Sequence, residues 1–252
     1  PGAHSVVRQT LHRGVRPRPP PGPRLCGAPS YSQQLLRALR AARGTDGSLC
    51  VATDGSADEG MATWAATVDG YIIASPVDGE DQTAFAAELT AIYQVIMGFG
   101  QVLPDRTDVR ELVLIIDCLS AIDLVLSPRE PEHYLALWSA TRNALMEIRA
   151  LGITTRLLWV PSHGKQRQGW APHDMDPGFM RKANDLVDKA ARALLRERLQ
   201  GAMYQQWKKD WDAAADWSRK AIDYGDLVAK AMQDYGVEAL ADAESDLGDD
   251  VV

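Results

Sequence analysis

Apolar and polar residues change period along the chain, and the changes mark out its elements. Residues 50–55 and "MATWAATV" (61–68) read as strands. "VDG" (Val68 to Gly70) supplies an Asp-Gly hairpin turn, and "YIIAS" follows as a third strand. Helical spacing covers 83–99. "ELVLIID" is the most hydrophobic strand and ends at Asp117; a short helix then runs to Leu126. "SPREP" breaks the pattern, a helix over 132–150 stops at Gly152, and "ITTRLLWV" (153–160) is the fifth strand. A loop rich in Gly and Pro reaches about 178, and helix follows over 179–200. Residues 201–240 read as further helix, with Trp207 and Trp211 four apart on one face. Three meandering strands followed by alternating helix and strand predict an α/β fold. It is a mixed five-stranded sheet flanked by helices, with a helical C-terminal extension.

Charge sharpens the domain boundaries. The net charge of -7 hides a gradient: eight arginines and no acid precede Asp46, while Lys230 is the one basic residue after Lys220. Residues 1–48 are expected to be a disordered Arg/Pro-rich leader with a short basic helix at 31–43. "RPRPPPGPR" favours extended polyproline conformations. The leader reads as an interdomain linker or as an organelle transit peptide. The expected globular domain is 49–199, the helical extension 200–240, and 241–252 an acidic disordered tail. Pro1 in place of Met is expected of a piece of a longer chain. Cys26, Cys50 and Cys118 share no disulfide or zinc spacing, so an intracellular setting is expected. No apolar run reads as membrane-spanning, and no membrane partner is expected.

Four carboxylates stand in costly places. Asp54 sits at the inner end of the first strand, after Val51, Ala52 and Thr53. Glu88 falls inside the helical stripe Phe85, Leu89, Ile92, Ile96, Phe99. Asp117 ends the most apolar strand, at the edge where open α/β sheets bind ligands. On the last helix of the domain, Met180, Val187, Ala191 and Leu194 make the stripe. Asp188 lies at its margin with Asn184 one turn earlier, and Asp185 points outward. A buried carboxylate is costly unless paired or bound to a cation. If clustered, such acids repel and take up protons; a hard divalent ion relieves the repulsion, and oxygen-only ligands point to magnesium or manganese.

With "TDGS", "AAEL", "IID", "WVPSHGK" and "NDLVDKAA" in this order and context, residues 49–199 resemble a ribonuclease H domain. The nearest flavour is that of reverse-transcribing retroelements, especially non-LTR retrotransposons. The resemblance implies a ribonuclease H-like fold and a metal site of Asp54, Glu88, Asp117 and Asp188. It implies two Mg²⁺ ions, for which Mn²⁺ can substitute, and hydrolysis of the RNA strand of an RNA–DNA hybrid. His163 matches a loop histidine that assists proton transfer or product departure. Asn184 matches a residue leading the final motif. Ser56, Thr83, Ser120 and Asn184 are candidate substrate contacts. The implied context is a polyprotein that also carries a reverse-transcriptase domain, in nucleus or cytoplasm, or in mitochondria if the Arg-rich leader targets them.

Departures from the family pattern are visible. Phe85, Ala86 and Ala87 stand where a polar or basic residue often precedes "AEL", and Cys118 follows Asp117 in place of Ser. "GWAPHDMDPGF" lengthens the loop after His163. An exonuclease with such a cluster would carry an acid at Ser56, and an integrase-like enzyme a Glu at Asp188. A catalytically weak or inactive nucleic-acid-binding scaffold is the remaining alternative.

Overall fold

The computed structural model describes residues 29–78, 81–161, 170, 172 and 174–247. Its elements are α1 (Pro29–Ala41), β1 (Ser48–Asp58), β2 (Met61–Val68), β3 (Tyr71–Pro76), α2 (Ala84–Val102), β4 (Glu111–Ile116), α3 (Leu119–Leu126), α4 (Leu135–Ala150), β5 (Thr154–Trp159), α5 (Pro177–Gln200) and α6 (Ala202–Leu247). The five strands form one sheet in the order β3-β2-β1-β4-β5. β1, β2 and β3 are antiparallel neighbours; β1–β4 and β4–β5 are parallel. This is the mixed, helix-flanked sheet that the sequence predicts.

Strand alternation sorts β1 and β4 between two cores. Val51, Leu112, Leu114 and Ile116 join Leu89, Ile92, Ile96 and Phe99 of α2. Ala52 and Ile115 join Met180, Ala183, Val187 and Ala191 of α5 on the opposite face. β4 lies between β1 and β5 and is buried along "LVLII", as expected of a parallel strand covered on both faces. The Asp69–Gly70 turn has positive φ at both residues (48° and 81°), the geometry of a tight hairpin.

Several expectations need correction. First, the domain does not begin at 49. Leu35 and Leu39 of α1 are buried in the α2-side core. The buried guanidinium of Arg106 donates to the Leu39 carbonyl and pairs with Asp108. Apolar burial and this buried donor dock the helix that its charge made look like a linker.

Second, α5 starts at Pro177 rather than 179. The Asp176 carboxylate accepts from the N–H groups of Gly178 and Phe179, and proline suits the first helical position. Third, α6 continues to Leu247, past the expected start of the tail at 241. Residues 1–28 and 248–252 lie outside the described residues.

By length and composition Ala84–Asp105 is long and apolar enough to cross a membrane, which corrects the reading that no run reaches that length. Here it is a core helix, with Leu89, Ile92, Val95, Ile96 and Phe99 buried. α6 belongs to a second compact unit. The Trp207 and Trp211 rings stack along it at 5.7 Å.

Candidate metal centre

Strand register brings the first two acids together. The parallel pairing of β1 with β4 ends at Thr53 opposite Ile116. Asp54, still within β1 and paired with β2, and Asp117, the residue just after β4, come next, so they stand side by side where the β1–β4 pairing ends. Alternation turns both toward the α5 side, the side of Ala52 and Ile115.

Glu88 arrives from α2, on the other side. Gly55 makes this possible: a Cβ there would lie 2.4 Å from the Glu88 backbone nitrogen and 2.7 Å from the Ala87 carbonyl carbon. Without that side chain, α2 closes against the end of β1. Carboxylate oxygens of Asp54, Glu88 and Asp117 then lie within 4.8 Å of one another.

The electrostatics are those of crowded, buried acids. Burial pushes the Asp54 carboxyl up to about 8, with further contributions from the charges of Asp117 and Asp188. Burial and then the Asp54 charge push Glu88 well above the usual carboxylate range, while the Gly55 N–H pulls it down. Asp54 and Glu88 also interact through a side-chain hydrogen bond. Glu88 Oε2 is nonetheless buried without a hydrogen-bond partner among the described residues. A buried oxygen left unpaired is costly. The three acids present oxygen ligands only, and one of them, Glu88, carries the unpaired atom. Both features suit a hard divalent cation.

Neighbouring residues hold Asp117 in place. Asn184, buried on α5, donates through Nδ2 to Asp117 Oδ2 at 3.3 Å. Trp159 Nε1 donates to the Asp117 backbone carbonyl at 3.0 Å. Trp170 Nε1 in turn reaches the Trp159 carbonyl at 3.3 Å, and the Arg181 guanidinium lies over the Trp170 ring. Arg156, paired with Asp174 and Glu111, ties the end of the β5–α5 loop to the sheet.

The remaining candidates fall out differently. Asp188 stands outside the set of three, held by Arg192 in an ion pair of 2.8 Å, but close enough for its charge to act on Asp54. Asn184 is at the centre as a partner of Asp117. Thr83 is exposed and caps α2: its hydroxyl accepts from the Ala86 N–H at 3.1 Å. Ser56 is half-buried on β1 opposite Thr63, and Ser120 is exposed in the first turn of α3. His163 lies outside the described residues. A cavity of about 310 Å³ lined by Leu49, Cys50, Ala52, Lys182 and Leu186 lies toward the amino end of β1 and shares no residue with the acids.

Sequence reading missed three residues that build the centre: Gly55, Trp159 and Arg192. Two left a signal. A glycine inside a strand marks a bulge or a close backbone approach. Arg192 stands four residues after Asp188, the spacing of a helical ion pair. Trp159 left none, because its partner is a main-chain carbonyl on another strand.

No family model matches the chain, and no curated protein matches it in sequence. Solved structures do resemble it. The N-terminal ribonuclease H domain of a Mycobacterium tuberculosis protein, solved as a maltose-binding-protein fusion, is 15% identical with a TM-score of 0.41, over 61% of this chain and 96% of that one. Ribonuclease H1 of the archaeon Halobacterium salinarum is 15% identical with a TM-score of 0.38, over 60% of this chain and 99% of that one. The prototype foamy virus protease–reverse transcriptase is 16% identical with a TM-score of 0.39, over 62% of this chain and 22% of that one. At these identities and scores the fold is read from the chain's own strands. Their order, the register ending at Thr53 and Ile116, and the acids just beyond it make this a ribonuclease H-like fold with an acidic triad able to hold a divalent metal.

Proposed function

We propose that the chain is a divalent-metal-dependent endonuclease that hydrolyses the RNA strand of RNA–DNA hybrids. One observation carries the reading: three carboxylates from β1, α2 and β4 converge within 4.8 Å, and a buried oxygen of one of them has no hydrogen-bond partner. The substrate class rests on the five sequence segments that resemble ribonuclease H. Asp54, Glu88 and Asp117 would hold the first magnesium ion, and Asp188 would complete the site for a second. Bound there, the ions supply Lewis-acid chemistry that activates water and stabilises the leaving 3′ oxygen.

The chain's own residues do the rest. Asp54 and Glu88, both raised by burial, would give up any bound proton on becoming ligands. Asn184 fixes the rotation of the Asp117 carboxylate, and Trp159 fixes its backbone. His163 assists proton transfer or product departure. Products would carry 5′-phosphate and 3′-hydroxyl ends, and selectivity would come from the A-like shape and 2′-hydroxyls of the hybrid rather than its sequence. Ser56, Thr83 and Ser120 are proposed contacts to that duplex, and a reverse-transcriptase domain in the same polyprotein is the proposed setting.

The test is incubation with matched RNA–DNA hybrid, RNA duplex and DNA duplex, each with and without Mg²⁺. Cleavage confined to the hybrid's RNA strand and dependent on Mg²⁺ is expected. Equal cleavage of all three duplexes, or of none, would remove the assignment. His163→Ala should slow turnover without abolishing it.

A further inference from the structure

Asp188 differs from the other three acids in what it touches. Asp54, Glu88 and Asp117 face one another. Asp188 faces Arg192 one turn along α5, at 2.8 Å, with side chains 18% and 41% exposed respectively. The neighbouring cation, Lys189, is engaged with Asp185 on the outer side of the helix. Asn184, one turn before Asp188 on α5, donates to Asp117 Oδ2 at 3.3 Å, and the carbonyl of Ala191, next to Arg192, accepts from Thr63 Oγ1 of β2 at 2.8 Å, so α5 lies against the centre on both sides of Asp188. Arg192 therefore carries a positive charge to the rim of an acid cluster, on the helix from which the fourth carboxylate must come.

We propose that Arg192 is a gate for the second cation: it holds Asp188 out of the centre while one ion is bound and releases it when a second enters. This rests on the reading of the acids as a two-ion site. The two sites then differ in how much must move. The first uses carboxylates already brought together by the sheet and by α2. The second needs a carboxylate that must leave an ion pair and turn about its side-chain bonds. A half-exposed helical pair is weak enough to be broken by a divalent ion, yet strong enough to reduce its affinity. Arg192 is thus a positioning residue acting through Asp188. It makes occupancy of the second site depend on the ambient concentration of divalent ion.

Cation binding tests this without nucleic acid. The full chain is titrated with Mn²⁺, read by electron paramagnetic resonance, and with Mg²⁺, read by calorimetry. Wild type should bind in two steps. Arg192→Met should tighten the second step by about three- to tenfold, the effect of removing a partly exposed pair together with a repelling charge, and change the first step less. Arg192→Lys should restore the wild-type difference. Asp188→Asn should remove the second step, and adding Arg192→Met to it should change nothing further. The Arg192 Nε–H resonance of unaltered protein should shift with the second equivalent and not the first, which covers the case of a variant that folds poorly.

A second step unchanged or weakened by Arg192→Met, an Arg192 resonance that moves with the first equivalent or with neither, or a wild type with one step only would overturn the gate. Those results leave the endonuclease reading standing. A wild type that binds no cation, or a first step indifferent to Asp117→Asn, would sink that reading and the gate with it.

Discussion

Gly55→Ala adds one carbon where β1 meets α2. The new Cβ would lie 2.4 Å from the Glu88 nitrogen, 2.7 Å from the Ala87 carbonyl carbon and 2.7 Å from the Ala87 Cβ, against about 3.4 Å for ordinary contact. Two of these three atoms are backbone, so no rotamer change relieves the overlap. The start of α2 must retreat by about 1 Å, the gap between the closest approach and ordinary contact.

Overpacking of this kind costs about 1–3 kcal/mol. For a chain of this size that is a fall in Tm of roughly 2–12 °C. The retreat also carries Glu88 away from Asp54 and Asp117, and a displacement of about 1 Å at a reacting centre can cost about a hundredfold in rate. Thermal unfolding reads the first effect. Initial rates on a hybrid at saturating Mg²⁺, with first-step Mn²⁺ affinity alongside, read the second. Both should fall together. A variant with Tm within one degree and cleavage within twofold of wild type would show that helix and strand are not in contact at this point, and the account of how Glu88 reaches the centre would fail.

Four further outcomes are expected. In the metal-free protein, folded Asp54 titrates near 8 against an ordinary 3.8, so the native state keeps a proton that the unfolded chain gives up. Stability should therefore fall as pH rises from about 4 to about 8 and level off above; a profile flat across that window in chelator would contradict it. Asp117→Asn should flatten the fall, leave the fold intact and abolish Mg²⁺-dependent cleavage, so retained cleavage removes Asp117 from the centre. Leu39→Ala should cost about 2–5 kcal/mol in denaturant unfolding, because Leu39 is fully buried, whereas a linker helix would cost almost nothing. Trp159→Phe deletes the donor to the Asp117 carbonyl and should cost about 0.5–1.5 kcal/mol, with a measurable rise in the Mg²⁺ concentration needed for half-maximal rate.

Local chemistry made some of this legible in advance and distance hid the rest. β2 was read to the residue, 61–68, because an Asp-Gly turn follows it and a glycine precedes it. Glu88 was found from helical phase alone, since a carboxylate between Phe85 and Ile92 cannot reach solvent without leaving the stripe. α1 was misjudged as leader because its arginines dominate its composition. Its docking depends on Leu35 and Leu39 meeting α2 and on Arg106, 67 residues further along, finding the Leu39 carbonyl. The Asp188–Arg192 pair is legible as an i, i+4 spacing, but spacing alone does not tell a pair at the centre from the ordinary surface pair Asp185–Lys189 on the same helix.

The centre divides by the rigidity of what carries each acid. Asp54 and Asp117 ride on adjacent parallel strands whose register is fixed by buried side chains on both faces. Glu88 rides on a helix pressed so closely to β1 that a methyl group does not fit. These three cannot relax apart, so burial first and their mutual repulsion second are answered by taking up protons rather than by movement, and the Asp54 carboxyl is pushed up to about 8. Asp188 rides on the flank of α5, where its side chain can turn, and its charge is answered by an arginine on the same helix. Immobile carboxylates make a site that waits for its cation; a mobile one with its own counter-ion makes a site that forms only when a cation outcompetes it.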